Sequence, residues 1–298
     1  MKKKLSLFDI CNTAFMLLLL FVTIYPLYFT VIASVSDASA VATGDVIWKP
    51  VGFTWDAYKH VFTYKQIWIG YFNTILYTVL GTLFNILLTI PAAYGLSKKQ
   101  LPYRNLIMTS FLITMYFGGG IVPTYLLVKK LGLLNTRMVL MILGGVSVYN
   151  LIVSRVFFST SISESLYEAA DIDGANEFKK FFSIALPLAK SIIAVMVLYY
   201  AVTHWNSYFN ALLYISDKEL EPLQSVLRKV LIQNQNALNP DLMETVDGEA
   251  LAYYVKRTNM VYTMKYAMVF ISSAPLLIAY PFVQKHFVKG VMIGAVKE

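Results

Sequence analysis

The stretch Glu168-Ala169-Ala170-Asp171-Ile172-Asp173-Gly174-Ala175 is a polar island in a very apolar chain, and it continues to Leu186-Pro187. Of the 298 residues, 57% are hydrophobic and only 14% are charged, which is far less charge than a soluble protein of this length carries. Several apolar runs reach the roughly 20 residues with which a helix crosses a bilayer. The composition therefore predicts an all-α, polytopic membrane protein in which the polar stretch connects two spans.

The connection formed by residues 161–187, called the polar segment below, is predicted to be two helices joined by a bend. Ser161 and Ser165 are each followed three residues later by Glu, which is typical of helix starts. Asp173-Gly174 should end the first helix near Asp171, because glycine tolerates the left-handed backbone of a helix end. The second helix should carry an apolar face and lead into a span that opens at Pro187, a favourable position for proline. The side chains of that face are Phe178, Phe181, Phe182 and Ala185.

Six membrane spans are predicted from the apolar runs. They lie at about residues 10–33, 68–94, 105–130, 138–158, 187–208 and 266–282. The third span should be broken, because Gly118-Gly119-Gly120 and Pro123 disturb a helix. Three lysines precede the first span, as basic residues precede the apolar core of a signal peptide. The apolar run of this span is too long for such a core. We therefore interpret it as a retained span.

The positions of Lys and Arg predict that both termini are cytoplasmic. The N-terminus, the turn from Lys98 to Arg104, the polar segment and the C-terminal tail agree with this rule, whereas Lys129 and Lys130 fall on the outer side. The net charge of +8 is interpreted as a topology and lipid signal, with no nucleic-acid partner. Residues 1–67 are interpreted as one span with an external loop, and residues 68–298 as a five-helix core. A long polar external connection is predicted between Asn210 and Thr263.

The polar segment resembles the EAA motif of ABC importer permeases, in which Glu-Ala-Ala precedes a glycine and, further on, Leu-Pro. Nearly the whole chain resembles the MalG-like carbohydrate-importer permeases, most closely their LplC-like branch. The matching stretches are residues 94–97, 123–127, 131–136, 204–210, 222–224 and 280–297. One departure is Ser163, where relatives usually carry proline.

This resemblance implies a type I importer permease fold in the bacterial cytoplasmic membrane and a transport subunit without its own ATPase site. It implies a heterodimer with a second permease, two ATP-binding cassette subunits that hold ATP and Mg, an extracytoplasmic solute-binding protein, an oligosaccharide substrate and no cofactor in this chain. The polar segment would dock into a groove of the ATPase. Glu168 would pair with a basic residue, three alanines would keep the helix face thin, and Gly174 would set the bend. The coupling residues implied in this way are Glu168, Ala169, Ala170, Asp171, Asp173, Gly174, Ala175 and Pro187.

The fifth predicted span supplies a candidate substrate path, because oligosaccharides need rings to stack on and amides to hydrogen-bond. The candidates are Tyr199, Tyr200, His204, Asn206 and Asn210. Adjacent helical residues are about 100° apart, so one of the two tyrosines should line the path and the other should pack. Trp205 and Tyr208 can equally serve as anchors at the membrane interface.

Two other functional classes remain as alternatives. An ion- or proton-coupled secondary transporter needs acidic or histidine side chains inside the membrane, and His204 is the main candidate. A membrane enzyme needs paired carboxylates or a metal-ligand cluster. Asp171 and Asp173 do not share a helix face, so we interpret them as capping or solvated groups. The single Cys11 excludes an internal disulfide and a multi-cysteine metal site. The sequence contains no phosphate-binding Gly-x-x-x-x-Gly-Lys-Ser/Thr loop, so ATP hydrolysis is expected on another chain.

Overall fold

The computed structural model describes residues 6–236 and 248–295, and every regular element in these two ranges is helical. The elements are α1 Leu7–Ser34, α2 Ala38–Thr43, α3 Asp56–Thr63, α4 Lys65–Ser97, α5 Arg104–Tyr116, α6 Ile121–Lys130, α7 Arg137–Ile142, α8 Val148–Thr160, α9 Glu164–Ile172, α10 Glu177–Lys180, a π-helical turn Phe181–Ala185, α11 Leu186–Leu188, α12 Lys190–Trp205, α13 Phe209–Tyr214, a 3-10 turn Lys218–Leu220, α14 Leu223–Asn236 and α15 Gly248–Ala295.

The chain divides into two compact units. One contains the described residues of the ranges 1–68 and 226–274, and the other those of 69–225 and 275–298. In the first unit, α1 begins with a capping box in which Ser6 Oγ accepts from the Asp9 amide and the Asp9 carboxylate accepts from the Ser6 amide. Tyr25 Oη then donates to the Ile47 carbonyl over 3.2 Å, which holds the following loop against α1.

The core of the second unit surrounds the C-terminal half of α4. Buried apolar side chains from α4, α8, the polar segment and α12 pack together there. They include Ile90, Ala93, Tyr94, Leu151, Phe158, Phe181, Ala185, Met196 and Tyr200. The polar segment is therefore fastened to α4 by an apolar core and does not hang free as a loop.

Three helical stretches are long and apolar enough to cross a membrane: α1, α4 and Thr258–Pro281 within α15. Two bent pairs raise this number to five if each is one span. Arg104–Tyr116 meets Ile121–Lys130 at 112°, with the predicted break at Gly118–Gly120 between them, and Glu177–Leu188 meets Lys190–Trp205 at 79°. The described residues thus contain three to five candidate spans, whereas the sequence predicted six.

The predicted fourth span is wrong as a continuous helix. Residues 143–147 separate α7 from α8, and Gly144 has a left-handed φ of +75°. The Asn85 side chain on α4 donates to the Gly144 carbonyl over 3.3 Å and to the Gly145 carbonyl over 2.8 Å. A side-chain amide thus replaces helical partners for these carbonyls, which keeps the break bonded inside the protein.

The predicted polar connection between Asn210 and Thr263 is also wrong as a simple loop. It contains most of α13, the 3-10 turn, α14 and the start of α15. Leu223, Val226, Leu227 and Val230 are buried, and their spacing is that of one helix face. Residues 237–247, at the centre of the predicted binding-protein surface, lie outside the described ranges.

Candidate functional site

The first arm of the polar segment is α9, and it ends in a fully formed glycine cap. Gly174 has φ +71°, its amide donates to the Asp171 carbonyl over 3.0 Å, and the Ala175 amide donates to the Ala170 carbonyl over 2.8 Å. This pair of bonds is the Schellman arrangement, in which a left-handed residue satisfies the last carbonyls of a helix. The predicted bend at Asp173-Gly174 is therefore present.

The start of α9 differs from the prediction. The helix begins at Glu164 with Ser163 as its N-cap, and not after Ser161 or Ser165. The Ser163 hydroxyl lies 2.8 Å from the Ser165 hydroxyl and makes no capping bond to a backbone amide. The two Ser-to-Glu patterns, at residues 161–164 and 165–168, follow one another directly, and neither serine is the N-cap of α9.

The second arm, residues 177–188, does not have the predicted apolar face. Phe181 and Ala185 are buried, whereas Phe178 and Phe182 are exposed. A π-helical turn, Phe181–Ala185, interrupts the regular α-helical spacing from which this face was predicted. The predicted span start at Pro187 is wrong as well, since the chain bends at Ala189 and α12 begins at Lys190.

An aromatic cluster joins the polar segment to the end of α4. The Tyr94 ring lies 5.8 Å from Phe158, 6.1 Å from Tyr167 and 5.1 Å from Phe181, measured between ring centroids. The Lys98 ammonium lies 3.0 Å from the centroid of the Tyr167 ring. Burial, followed by the negative charge of Glu177, raises the pKa of Tyr167 to about 12. The phenol therefore stays neutral at cellular pH and can accept the cation on its ring face.

Charged groups lie beside this aromatic cluster. Lys180 Nζ lies 2.7 Å from Glu177 Oε1 and also contacts the Asp171 carboxylate. Tyr94 Oη donates to the other carboxylate oxygen of Glu177 over 3.2 Å. At the exposed edge, Lys99 Nζ lies 3.0 Å from Glu164 Oε2. Asp171 therefore does more than the capping or solvation expected from the sequence, because it pairs with a lysine of the second arm.

Several side chains of the polar segment, both apolar and acidic, are open to solvent. Glu168, Ala169 and Asp173 are exposed, Ile172 is 88% exposed and Phe178 is 76% exposed. Of the three alanines expected to keep the docking face thin, Ala169 is exposed, Ala175 is half-buried and Ala170 is buried against its own chain. Sequence reasoning missed Ile172, although its spacing of four residues from Glu168 is the helical spacing that would have found it.

Two of the predicted path residues, Tyr200 and His204, are held in the protein core. Tyr200 Oη lies 2.7 Å from Thr89 Oγ1 and accepts from the Ser147 amide over 3.1 Å. His204 Nε2 lies 2.7 Å from Asn85 Oδ1. Because the amide nitrogen of Asn85 already donates to Gly144 and Gly145, its oxygen is the acceptor, and His204 carries a proton on Nε2.

The close approach of His204 to α4 depends on Gly81. A Cβ at Gly81 would lie 2.4 Å from His204 Cε1, so only glycine fits opposite this ring. His204 of α12 therefore packs against α4, and its role in a substrate path stays a prediction.

Tyr199 has a different environment from its neighbour. Its side chain is 38% exposed and borders a cavity of about 700 Å³. Tyr200 borders the same cavity although it is buried, and the other lining residues include Ser147, Asn150, Thr203, Leu277 and Tyr280. Asn206 is exposed and donates to the Val202 carbonyl over 3.0 Å, and Asn210 is half-buried in α13. The structure thus does not unite the five predicted path residues on one surface.

Comparisons with known proteins agree with one another. Residues 67–293 match the family described as binding-protein-dependent transport system inner membrane component. The chain is 38% identical over 291 residues to Protein LplC of Bacillus subtilis (strain 168), covering 97% of this chain and 95% of that protein. It is 36% identical over 294 residues to the polygalacturonan/rhamnogalacturonan transport system permease protein YtcP of the same strain, covering 99% of each.

A solved structure has the same fold. The crystal structure of a bacterial ABC transporter involved in the import of the acidic polysaccharide alginate contains a chain with a TM-score of 0.83. That chain is 33% identical, and the match covers 94% of the present chain and 96% of the other.

Proposed function

The chain belongs to the family of binding-protein-dependent transport system inner membrane components, so it is a permease component of an ABC importer, and we propose that its substrates are oligosaccharides. It is a multi-pass inner-membrane subunit that works with ATPase and binding-protein components, and ATP is hydrolysed on those separate ATPase subunits. Family membership supports this function and does not support the ion-coupled secondary transporter that the sequence left open.

The finer architecture is part of the proposal. We propose six spans with both termini cytoplasmic, a core of residues 68–298, a heterodimer with a second permease, and two ATP-binding cassette subunits that hold ATP and Mg. The bent pairs α5–α6 and α10–α12 bring the number to five, because each can count as one broken span, and α7 with α8 is the proposed sixth. Helices α13 and α14 supply the described part of the proposed contact with the binding protein.

The observation that carries the coupling role is the exposure of large apolar side chains in the polar segment. Ile172 and Phe178 are open to solvent, as is Glu168, although the same segment buries Tyr167, Ala170 and Phe181. Exposed apolar side chains accompanied by an acidic group are typical of a surface that another protein covers. We propose that the ATPase covers it and that Glu168 pairs with a basic residue of the ATPase.

The test compares Glu168→Ala with the matched control Glu164→Ala on the same helix. Glu164 is exposed but directed to Lys99 of its own chain. Glu168→Ala should reduce ATPase co-purification and transport in the reconstituted complex, while Glu164→Ala should keep both near the wild-type values, because an exposed pair contributes little. Equal behaviour of the two variants would contradict docking through Glu168.

The proposed sugar contact of this chain is Tyr199 at the 700 Å³ cavity, and we propose that Tyr200 supports it from the core. Counted from Lys190 at about 1.5 Å per residue, Tyr199 lies roughly 14 Å along α12, near the middle of a bilayer of about 30 Å. Asn206 and Asn210 would contact the substrate only beyond the end of α12.

Uptake assays with oligogalacturonides, alginate oligomers and maltotriose would test substrate class and path together. The first two probes follow from the substrates in the names of the relatives, and the third is a neutral control. Tyr199→Ala should change the apparent transport constant or the preference among these probes, whereas Tyr200→Ala should lower thermal stability. Unaltered transport by a stable Tyr199→Ala complex would assign the sugar contacts to the partner permease.

A further inference from the structure

Lys180 is a buried cation placed between the two arms of the polar segment. Its side chain is only 7% exposed, whereas the side chains of its two carboxylate partners are more than half exposed. Asp171 belongs to the last turn of α9, and Glu177 is the first residue of α10. The ammonium group therefore bridges the first arm to the second across the bend at Gly174.

The glycine at the bend is not itself packed. A Cβ placed at Gly174 would meet no atom within 4 Å, so no contact at the glycine restricts the angle between the arms. A left-handed glycine permits the bend but also permits other angles, because it lacks the restriction that a side chain imposes. Two sets of contacts among the described residues connect the arms: the rings of Tyr167 and Phe181, which both pack against Tyr94, and the Asp171–Lys180–Glu177 bridge, which spans the bend by charge.

The chemistry of the bridge favours one arrangement. A buried ammonium without a carboxylate partner is costly, and a single partner, Glu177, would already neutralise it within the second arm. The second carboxylate comes from the other arm, so the ammonium keeps both carboxylate partners only while the arms hold Asp171 next to Lys180. Glu177 also accepts from Tyr94 of α4, which extends the bridge to a candidate membrane span.

We infer that Lys180 is a positioning residue that sets the angle of the polar segment and so presents Glu168, Ile172 and Phe178 as one surface to the ATPase. This inference rests on the proposed docking role. The sequence pattern did not single out Lys180, because a lysine in a short polar helix is usually a solvated side chain. Its neighbour Lys179 is exposed, and only its backbone amide is bonded, to Asn176 Oδ1 over 2.8 Å.

The first experiment measures the angle without any transport substrate. Spin labels on Ser165→Cys and Ser183→Cys, one exposed position in each arm, are introduced into full-length permease carrying Cys11→Ser and assembled with its partners. Pulsed electron paramagnetic resonance should give a narrow distance distribution for wild type, Lys180→Arg and the control Lys179→Met. Lys180→Met should broaden or shift it. A Lys180→Met distribution identical to that of wild type overturns the inference.

The second experiment measures coupling in the reconstituted complex. The probe is whichever of oligogalacturonides, alginate oligomers and maltotriose, loaded on the binding protein, stimulates the wild-type ATPase most. Stimulation should fall about fivefold or more in Lys180→Met, recover in Lys180→Arg and stay unchanged in Lys179→Met. Asp171→Asn removes only the contact from the first arm at an exposed position, so it should lower stimulation without unfolding the permease.

The two readouts separate this inference from the docking proposal. If Lys180→Met widens the distance distribution but no variant of the polar segment changes ATPase binding, the bridge exists and docking is wrong. If Glu168→Ala weakens docking while Lys180→Met and Asp171→Asn leave both the distances and the stimulation unchanged, docking stands and the role of Lys180 is overturned.

Discussion

The two ends of α4 hold their neighbours by different chemistry. At the C-terminal end, Tyr94 fastens the polar segment through side chains, namely aromatic rings and the Glu177 carboxylate. About 30 Å away along the helix, Asn73 donates to the Glu219 and Glu221 carbonyls over 2.8 and 3.1 Å. Tyr77 Oη donates to the Leu220 carbonyl over 2.8 Å. Thr74 Oγ1 accepts from the Leu223 amide over 2.8 Å, so these hydrogen bonds of Asn73, Thr74 and Tyr77 all join α4 to main chain.

This difference bears on what each contact demands of the sequence. Contacts between side chains require particular residues on both partners. Contacts from a side chain to the backbone require a particular residue on one partner only, because every residue supplies a carbonyl. The hydrogen bonds to residues 219–223 therefore place no demand on the side chains there, although burial restricts the side chains of Glu221 and Leu223.

The largest expected effect concerns the exposed surface at the C-terminal end. Phe178→Ala should weaken ATPase binding by about 2 kcal/mol, or roughly thirtyfold, if this ring is a central anchor of the interface. The control is Phe72→Ala near the N-terminal end of α4, because Phe72 is also an exposed phenylalanine. Titration of purified ATPase against the permease complex measures both. Equal loss in the two variants would remove the functional distinction between the ends.

At the N-terminal end of α4, a change of similar size is expected in the free energy of unfolding, with no change in the coupling of transport to ATP hydrolysis. Asn73→Ala should lower the free energy of unfolding by about 2 kcal/mol, because it leaves two buried carbonyls without a donor. Glu219→Ala should change it by less than about 0.5 kcal/mol, since only the backbone of Glu219 is bound. Thermal unfolding of the purified complex distinguishes them. A larger loss in Glu219→Ala would show that the side chain, and not the main chain, is recognised.

The smallest expected effect distinguishes the consequence of backbone strain itself from the consequence of where the strained glycine position lies in the chain. Gly174→Ala and Gly44→Ala each place a methyl group on a left-handed residue with open space around it, at φ +71° and +84°. Each should cost about 1 kcal/mol of local conformational energy. Only Gly174→Ala should reduce the stimulated ATPase rate, by about fivefold at that energy. A similar reduction by Gly44→Ala would mean that strain anywhere in the chain impairs coupling.

The sequence predicted features that arise from local chemistry. The helical membrane class, the break at Gly118–Gly120 and the bend at Gly174 follow from composition, glycine and capping signals, and the structure contains all three. The family assignment is confirmed by the match of residues 67–293. The residues of the docking surface and of the sugar path stay predictions.

The errors have a shared physical origin in contacts between distant parts of the chain. The break between α7 and α8 depends on Asn85, nearly sixty residues earlier, and the burial of His204 depends on the space at Gly81. The second arm also contains a π-helical turn at Phe181–Ala185, which apolar spacing alone does not reveal. The Asp171–Lys180–Glu177 bridge similarly depends on the bend at Gly174, because the bend brings Asp171 of the first arm next to Lys180 of the second.

The contact between Gly81 and His204 has a mechanical consequence. Helices α4 and α12 meet at Gly81, where the His204 ring packs directly on the backbone of α4. The Asn85–His204 hydrogen bond lies one turn further along α4. These contacts leave no space for the two helices to slide past each other. Any displacement of α12 along its axis would drive the imidazole into the next side chain of α4. The two helices are therefore expected to move as one rigid body during the transport cycle. The backbone should then change its angles where it is already bent, at Ala189 and between α7 and α8.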